Sequence, residues 1–188
     1  MLKKIGIALG VLVVALVGLI ATRPATYRVT RSASIAAPPS IAYAQVADFH
    51  RWEAWSPWAK LDPDMLSSYA GRDGTVGASY EWKGNDKVGE GRMTLIEARP
   101  AQSVAIRLEF LKPWTSTSTT RFEFTAVDPG TRVTWTMDGQ NDFMGKAFSL
   151  FTDLDKLIGS DFERGLANLK TVAESHSRAT AAGPAVAR

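Results

Sequence analysis

The strongest constraint on how this chain folds is a change of hydrophobic period late in the sequence. From Leu66 to about Asp138 apolar residues recur at every second position, and from about Lys146 to Ala173 they recur every three or four. Val104, Ile106, Leu108 and Phe110, then Thr120, Phe122, Phe124 and Ala126, then Val133, Trp135 and Met137 mark one face of successive strands. Arg107, Glu109, Arg121, Glu123, Arg132 and Thr134 occupy the other face, the alternation of an antiparallel sheet with one wet side. Phe148, Phe151, Leu154, Ile158, Phe162, Leu166 and Leu169 then form one stripe of a single long helix. That stripe has no other partner, so the helix is expected to lie across the apolar face of the sheet.

Six strands are expected at about 66–70, 77–83, 89–98, 103–111, 116–127 and 131–138, separated by Gly71, Gly74, Gly84-Asn85-Asp86, Pro100, Pro113 and Asp128-Pro129-Gly130. A seventh, Tyr27 to Ile35, precedes them, and Pro39 suits the first turn of a helix over Ser40 to Ala47. The segment Asp48 to Trp58 is too aromatic for a solvated loop and reads as a short helical turn packed on the core. Gly159 and Gly165 inside the last helix each cost about 1 kcal/mol against alanine, which marks a bend or a close approach. The expected fold class is α+β, a curved antiparallel seven-stranded sheet around a long C-terminal helix, with two short helices after the first strand. Residues 27–174 form that domain, 175–188 are small and unpatterned and expected to be a disordered tail, and 1–26 are an N-terminal helix and linker.

That N-terminal helix is an apolar run from Ile5 to Ala21 between Lys3-Lys4 and Arg23. At ~1.5 Å per residue it is roughly 26 Å long, close to the thickness of a bilayer core. Cleavage as a signal peptide after Ala21 or Ala25 would put Leu19 or Arg23 where a small residue is required, so an uncleaved single-pass anchor is expected. Lys3, Lys4 and the amino terminus favour export of the domain, whereas Arg23, Arg28 and Arg31 oppose it; the exported side is expected.

The chain carries 22 basic and 19 acidic residues, with a sequence pI near 9.3. The excess is the anchor's: Lys3, Lys4 and Arg23 are its only charged residues, and the rest is balanced. A neutral domain lacks the basic footprint that nucleic acid requires, so no nucleic-acid partner is expected. There is no cysteine, hence no disulfide and no thiolate nucleophile. The two histidines, His50 and His176, have no partner at metal-ligand spacing, and neither a nucleophile elbow nor a phosphate-cradling glycine loop occurs. No metal and no cofactor are expected, and catalysis at His50 is a minor alternative.

Ala37-Pro-Pro-Ser-Ile-Ala-Tyr-Ala-Gln-Val-Ala-Asp48-Phe49, followed by Trp52-Glu-Ala-Trp55-Ser-Pro57-Trp58, resembles the entry of bacterial members of the START-like (SRPBCC) superfamily. Gly77-Ala-Ser-Tyr80-Glu-Trp82, Val88-Gly-Glu-Gly-Arg-Met93 and Asp161-Phe162-Glu-Arg-Gly165 are similar to its later strands and last helix. The superfamily includes polyketide cyclases and dehydrases and lipid-transfer domains. The resemblance implies a helix-grip fold and an apolar cavity between sheet and last helix; it carries over no catalytic residue.

The inward phase nominates the wall of such a cavity: Tyr80, Trp82, Met93, Leu108, Phe110, Phe122, Phe124, Trp135, Met137, Phe151, Ile158 and Phe162. Trp55, Trp58 and Trp114 are candidates for its mouth. Glu90, between Gly89 and Gly91, is the one polar candidate for orienting a ligand; plain alternation points it outward beside Arg92, and a bulge would reverse that. The expected function is membrane-tethered binding or transfer of a small apolar ligand, a lipid or polyketide-like compound. The alternatives are a cyclase, dehydrase or hydrolase in the same cavity, or a protein-interaction module without ligand.

Overall fold

A computed structural model describes residues 2–181. Helix α1 (Leu2–Ala21) leads into strand β1 (Thr26–Ile35), helix α2 (Pro39–Ala47) and a 3-10 turn (Phe49–Ala54). Strands β2 (Leu66–Ala70), β3 (Ser79–Lys83), β4 (Glu90–Arg99), β5 (Ser103–Lys112), β6 (Ser116–Ala126) and β7 (Thr131–Gln140) follow, then helices α3 (Phe143–Phe148) and α4 (Leu154–Ala181). The sheet is antiparallel in the order β1-β7-β6-β5-β4-β3-β2, so the first strand closes onto the last. This is the expected α+β helix-grip architecture.

The last helical region departs from the sequence reading in two ways. It is two helices, because Asp142 and Asp153 each start one: Asp142 Oδ1 accepts from Gly145 N at 2.7 Å and Asp153 Oδ1 from Lys156 N at 3.2 Å. Phe148 and Phe151 therefore fall outside the stripe. Helix α4 also continues through 175–181, where a disordered tail was expected; the rest of that tail, 182–188, lies outside the described residues.

The core forms where α4 crosses the sheet. Phe162 stacks on Trp135 with ring centroids 3.9 Å apart, and Trp55, Phe122, Leu166 and Leu169 are buried around them. Trp55 is thus at the centre of the core and not at a mouth, because the 3-10 turn after α2 swings it under the helix. Its indole donates to Gln45 O at 3.0 Å, that of Trp52 to Val46 O at 2.9 Å and that of Trp135 to Thr120 Oγ1 at 2.7 Å, so these buried N–H groups are satisfied. Gly165 permits the close approach: a Cβ there would stand 2.8 Å from the Trp135 ring and 3.2 Å from Pro57.

Polar clamps tie α4 to the edge strand. Arg31 of β1 bonds Asp155 at 2.9 Å and Glu163 at 2.8 Å, with its guanidinium against Gly159. Farther along, Lys170 Nζ donates to Ser34 O at 3.0 Å, and Ala36 N donates to Glu174 at 2.8 Å.

Phe162→Ala is expected to lower stability by about 3–5 kcal/mol, read as a fall in urea midpoint at unchanged slope. The hydrogen bond from Arg31, aided by its charge, holds the Asp155 carboxyl below the ordinary aspartate range. Its contribution is present above that range and lost as pH falls through the lowered value. Asp155→Asn should therefore lower stability at neutral pH and flatten its decline below about pH 4, the ordinary aspartate value, in acid denaturation curves.

Candidate ligand site on the open end of the sheet

Arg31 shows where α4 begins, because Asp155 and Gly159 meet it at the start of the helix. It lies in the paired row Phe122–Trp135–Arg31, so the rows nearer the β3–β4 and β5–β6 hairpins lie beyond the start of α4. One of these crosses six strands: Tyr80, Met93, Leu108, Ser118, Gly139 and Tyr27 are paired neighbour to neighbour. The next row is Trp82, Gly91 and Phe110. The two glycines matter here because rings lie over them: a Cβ at Gly91 would run into the Trp82 indole, and one at Gly139 into the Tyr27 ring.

The expected wall residues separate into distinct groups. Phe122, Phe124, Trp135 and Phe162 are buried in the solid core under α4. Met93, Leu108 and Met137 form a buried floor on the open rows and the row between them and the core, while Tyr80, Trp82 and Phe110 are half-buried there. Ile158 is half-buried on the first turns of α4. Phe151 is 87% exposed, in the turn between the two helices, where it lines an open cleft with Tyr27 and Leu154 rather than the buried core. Glu90 is engaged by Lys112 at 2.9 Å and Lys83 at 3.6 Å, which hold its carboxyl below the ordinary range, Lys112 foremost. Glu90 is thus held by two lysines, whereas Arg92 pairs with Glu81.

Tyr27 and Ser118 are the polar members of the main row that sequence reasoning missed. Ser118 is 5% exposed; its Oγ makes no well-formed hydrogen bond among the described residues but stands within reach of the Tyr27 hydroxyl. The Tyr27 hydroxyl points to Met137 Sδ at 3.9 Å; burial raises its pKa, with the nearby Ser118 hydroxyl acting in the opposite sense. Neither group is a base at neutral pH, so the row offers apolar contact and two hydroxyls for hydrogen bonding. The signal for Ser118 was present: it continues the inward phase of Thr120 and Phe122 backward.

Two features border the rows. Tyr69 stacks on Tyr80 at 5.1 Å and Tyr80 on Trp82 at 5.9 Å, while Trp82 meets Phe110 edge-on at 5.9 Å, making a ladder of aromatic rings. On the β1 side an open cleft of about 450 Å³ is lined by Arg23, Thr26, Tyr27, Asn141, Phe151 and Leu154. Trp114 is 75% exposed at the β5–β6 hairpin, whereas Trp58 packs on Phe162 and donates to Asp161 at 3.2 Å.

His50 has neighbours that the sequence did not show. Its Nδ1 lies 3.2 Å from Asp73 and 3.4 Å from Asp48, and the three donor atoms fall within 4.8 Å of one another. Asp48 is already engaged by His50 N and Arg51, and the imidazole stacks on Tyr69 at 3.9 Å, so the group reads as a surface hydrogen-bond cluster.

A curved antiparallel sheet that grips one long C-terminal helix defines the helix-grip class of α+β proteins. Within that class the chain belongs to the polyketide cyclase / dehydrase and lipid transport family, which matches residues 26–174. Among solved structures it is similar to a protein of Nitrosospira multiformis (21% identity, 81% of this chain and 99% of that one, TM-score 0.57). It is also similar to the Aha1 dimer of Colwellia psychrerythraea (18%, 79% and 96%, 0.57). The di-domain ARO/CYC StfQ of the steffimycin biosynthetic pathway is similar over 81% of this chain and 52% of its own, at 12% identity and TM-score 0.59. At these identities the likeness is one of fold. No curated protein matches the sequence.

Tyr27 is expected to ionise above the usual tyrosine value of about 10. An alkaline absorbance titration of Tyr27→Phe should lose amplitude from the late part of the curve and leave the early part intact.

Proposed function

We propose that this protein binds a small apolar ligand, a lipid or polyketide-like molecule, on the open rows of the sheet, and that α1 tethers it to a membrane. The observation that carries the reading is the row from Tyr80 to Tyr27: an apolar floor beyond the start of α4 in which the Ser118 and Tyr27 hydroxyls stand close together. Ser118 makes no well-formed hydrogen bond among the described residues, so a ligand carbonyl or hydroxyl could join this pair. Ligand sites combine this apolar lining with a few polar groups in the same way. The aromatic ladder from Tyr69 to Phe110 suits a flat ring system as well as an acyl chain. Membership of the polyketide cyclase / dehydrase and lipid transport family supports the same class of ligand, and the fold is that of the di-domain ARO/CYC StfQ.

The tether is supported by Lys3–Ala21, whose mean hydropathy of 2.5 and 6% buried share leave an apolar helix with no cover in the domain. Binding is favoured over catalysis in the same place because the row holds no carboxylate or imidazole to move a proton.

Small molecules extracted from the purified full-length chain should include a compound that is retained in proportion to protein, detected by mass spectrometry. Ser118→Phe, which fills the row, should reduce that retention about tenfold or more while the near-ultraviolet circular dichroism is kept. Wild-type protein that carries nothing above background sinks the proposal.

A further inference from the structure

Four residues, Thr22, Arg23, Pro24 and Ala25, separate α1 from β1. Fully extended they span at most about 14 Å, so an anchored α1 keeps this end of the sheet beside the bilayer. The linker is also held to the domain, since the Arg23 guanidinium donates to Ser149 O at 3.1 Å and to its Oγ at 3.3 Å. At this same end the surface is apolar. Phe143 is 50% exposed, Met144 64%, Phe148 50% and Phe151 87%, all on α3 and the turn after it. Trp114, at the tip of the β5–β6 hairpin, belongs to the same end of the sheet.

We propose that α3 and its following turn lie in the bilayer interface, a second contact that turns the open rows toward lipid. This rests on reading α1 as a membrane anchor. Lipid, and not a protein partner, is the occupant that fits, because the patch continues the uncovered surface of α1: that helix is exposed from Ile5 to Leu19 and is buried only at Ile20, near its contact with α3. Bulky apolar and aromatic side chains on a short helix beside an anchor are the groups that partition into the headgroup–acyl boundary.

The chain lacks cysteine, so single cysteines can carry an environment-sensitive fluorophore. The positions are Phe148→Cys, Phe151→Cys, Val13→Cys within α1, and Val76→Cys, which labels a bare valine (63% exposed) at the opposite ends of β2 and β3. The full chain is reconstituted into vesicles of phosphatidylcholine and phosphatidylglycerol containing brominated lipid. Blue-shifted, bromine-quenched emission at 13, 148 and 151, with unshifted emission at 76, is the expected result. Quenching at 13 with aqueous emission at both 148 and 151 overturns the docking proposal and leaves the anchor standing, the patch then serving another partner. Aqueous emission at 13 refutes the anchor and the docking together. Quenching at 76 equal to that at 148 and 151 also overturns the proposal, because no particular end would then face lipid.

Discussion

The stack of Phe162 on Trp135 decides where this protein is solid and where it is open. Two large rings in parallel contact at 3.9 Å seat α4 on β7, and Gly165 lets the helix come close enough to bury Trp55 and Phe122 beside them. Arg31 fixes the other coordinate: by holding Asp155 and Glu163 it sets the point along β1 at which the helix starts. Everything on the hairpin side of that point is sheet beyond the start of the helix. Which rows of the sheet lie under α4 is therefore a consequence of where along β1 the arginine stands.

Much of this was legible in the sequence because each element repeats its own period over many residues. Alternation from Val104 to Met137 identified both the strands and their inward phase, and most of its apolar positions are buried, Ala126 at the end of β6 being exposed. It failed where one local residue outweighs the period. Phe151 matches the helical stripe in spacing, yet Asp153 caps a new helix and leaves it 87% exposed. Trp55 was a candidate for the cavity mouth, because its place at the centre of the core depends on α2 and α4 meeting from distant parts of the chain. Ser118 and Tyr27 were passed over because the inward face was read by its apolar members, although Ser118 keeps the phase of Thr120. His50 gained Asp73 from a hairpin far along the chain, a pairing no local pattern encodes.

The polar groups of these rows are neutral hydroxyls. The ionised side chains around them are already occupied: Glu90 by two lysines, Arg31 by two carboxylates, Glu81 by Arg92. What remains is Ser118 and a tyrosine that burial keeps protonated. Neutral hydroxyls on an apolar floor recognise a carbonyl or hydroxyl without requiring a charged partner, and that is the polarity pattern of membrane-soluble molecules.

A short linker gives this pattern a physical setting. An apolar ligand is scarce in water and concentrated in lipid, so a free domain would spend most encounters away from it. On the proposed reading, a linker of about 14 Å after an anchored α1 would restrict the domain to the layer where such a ligand is abundant, and effective concentration rises steeply as the permitted volume shrinks. The same constraint fixes orientation as well as distance, because Arg23 ties the linker to Ser149 and so to the turn bearing Phe151. Cleft, open rows and anchor exit then lie at one end of the sheet, where Tyr27 belongs to both the main row and the cleft wall.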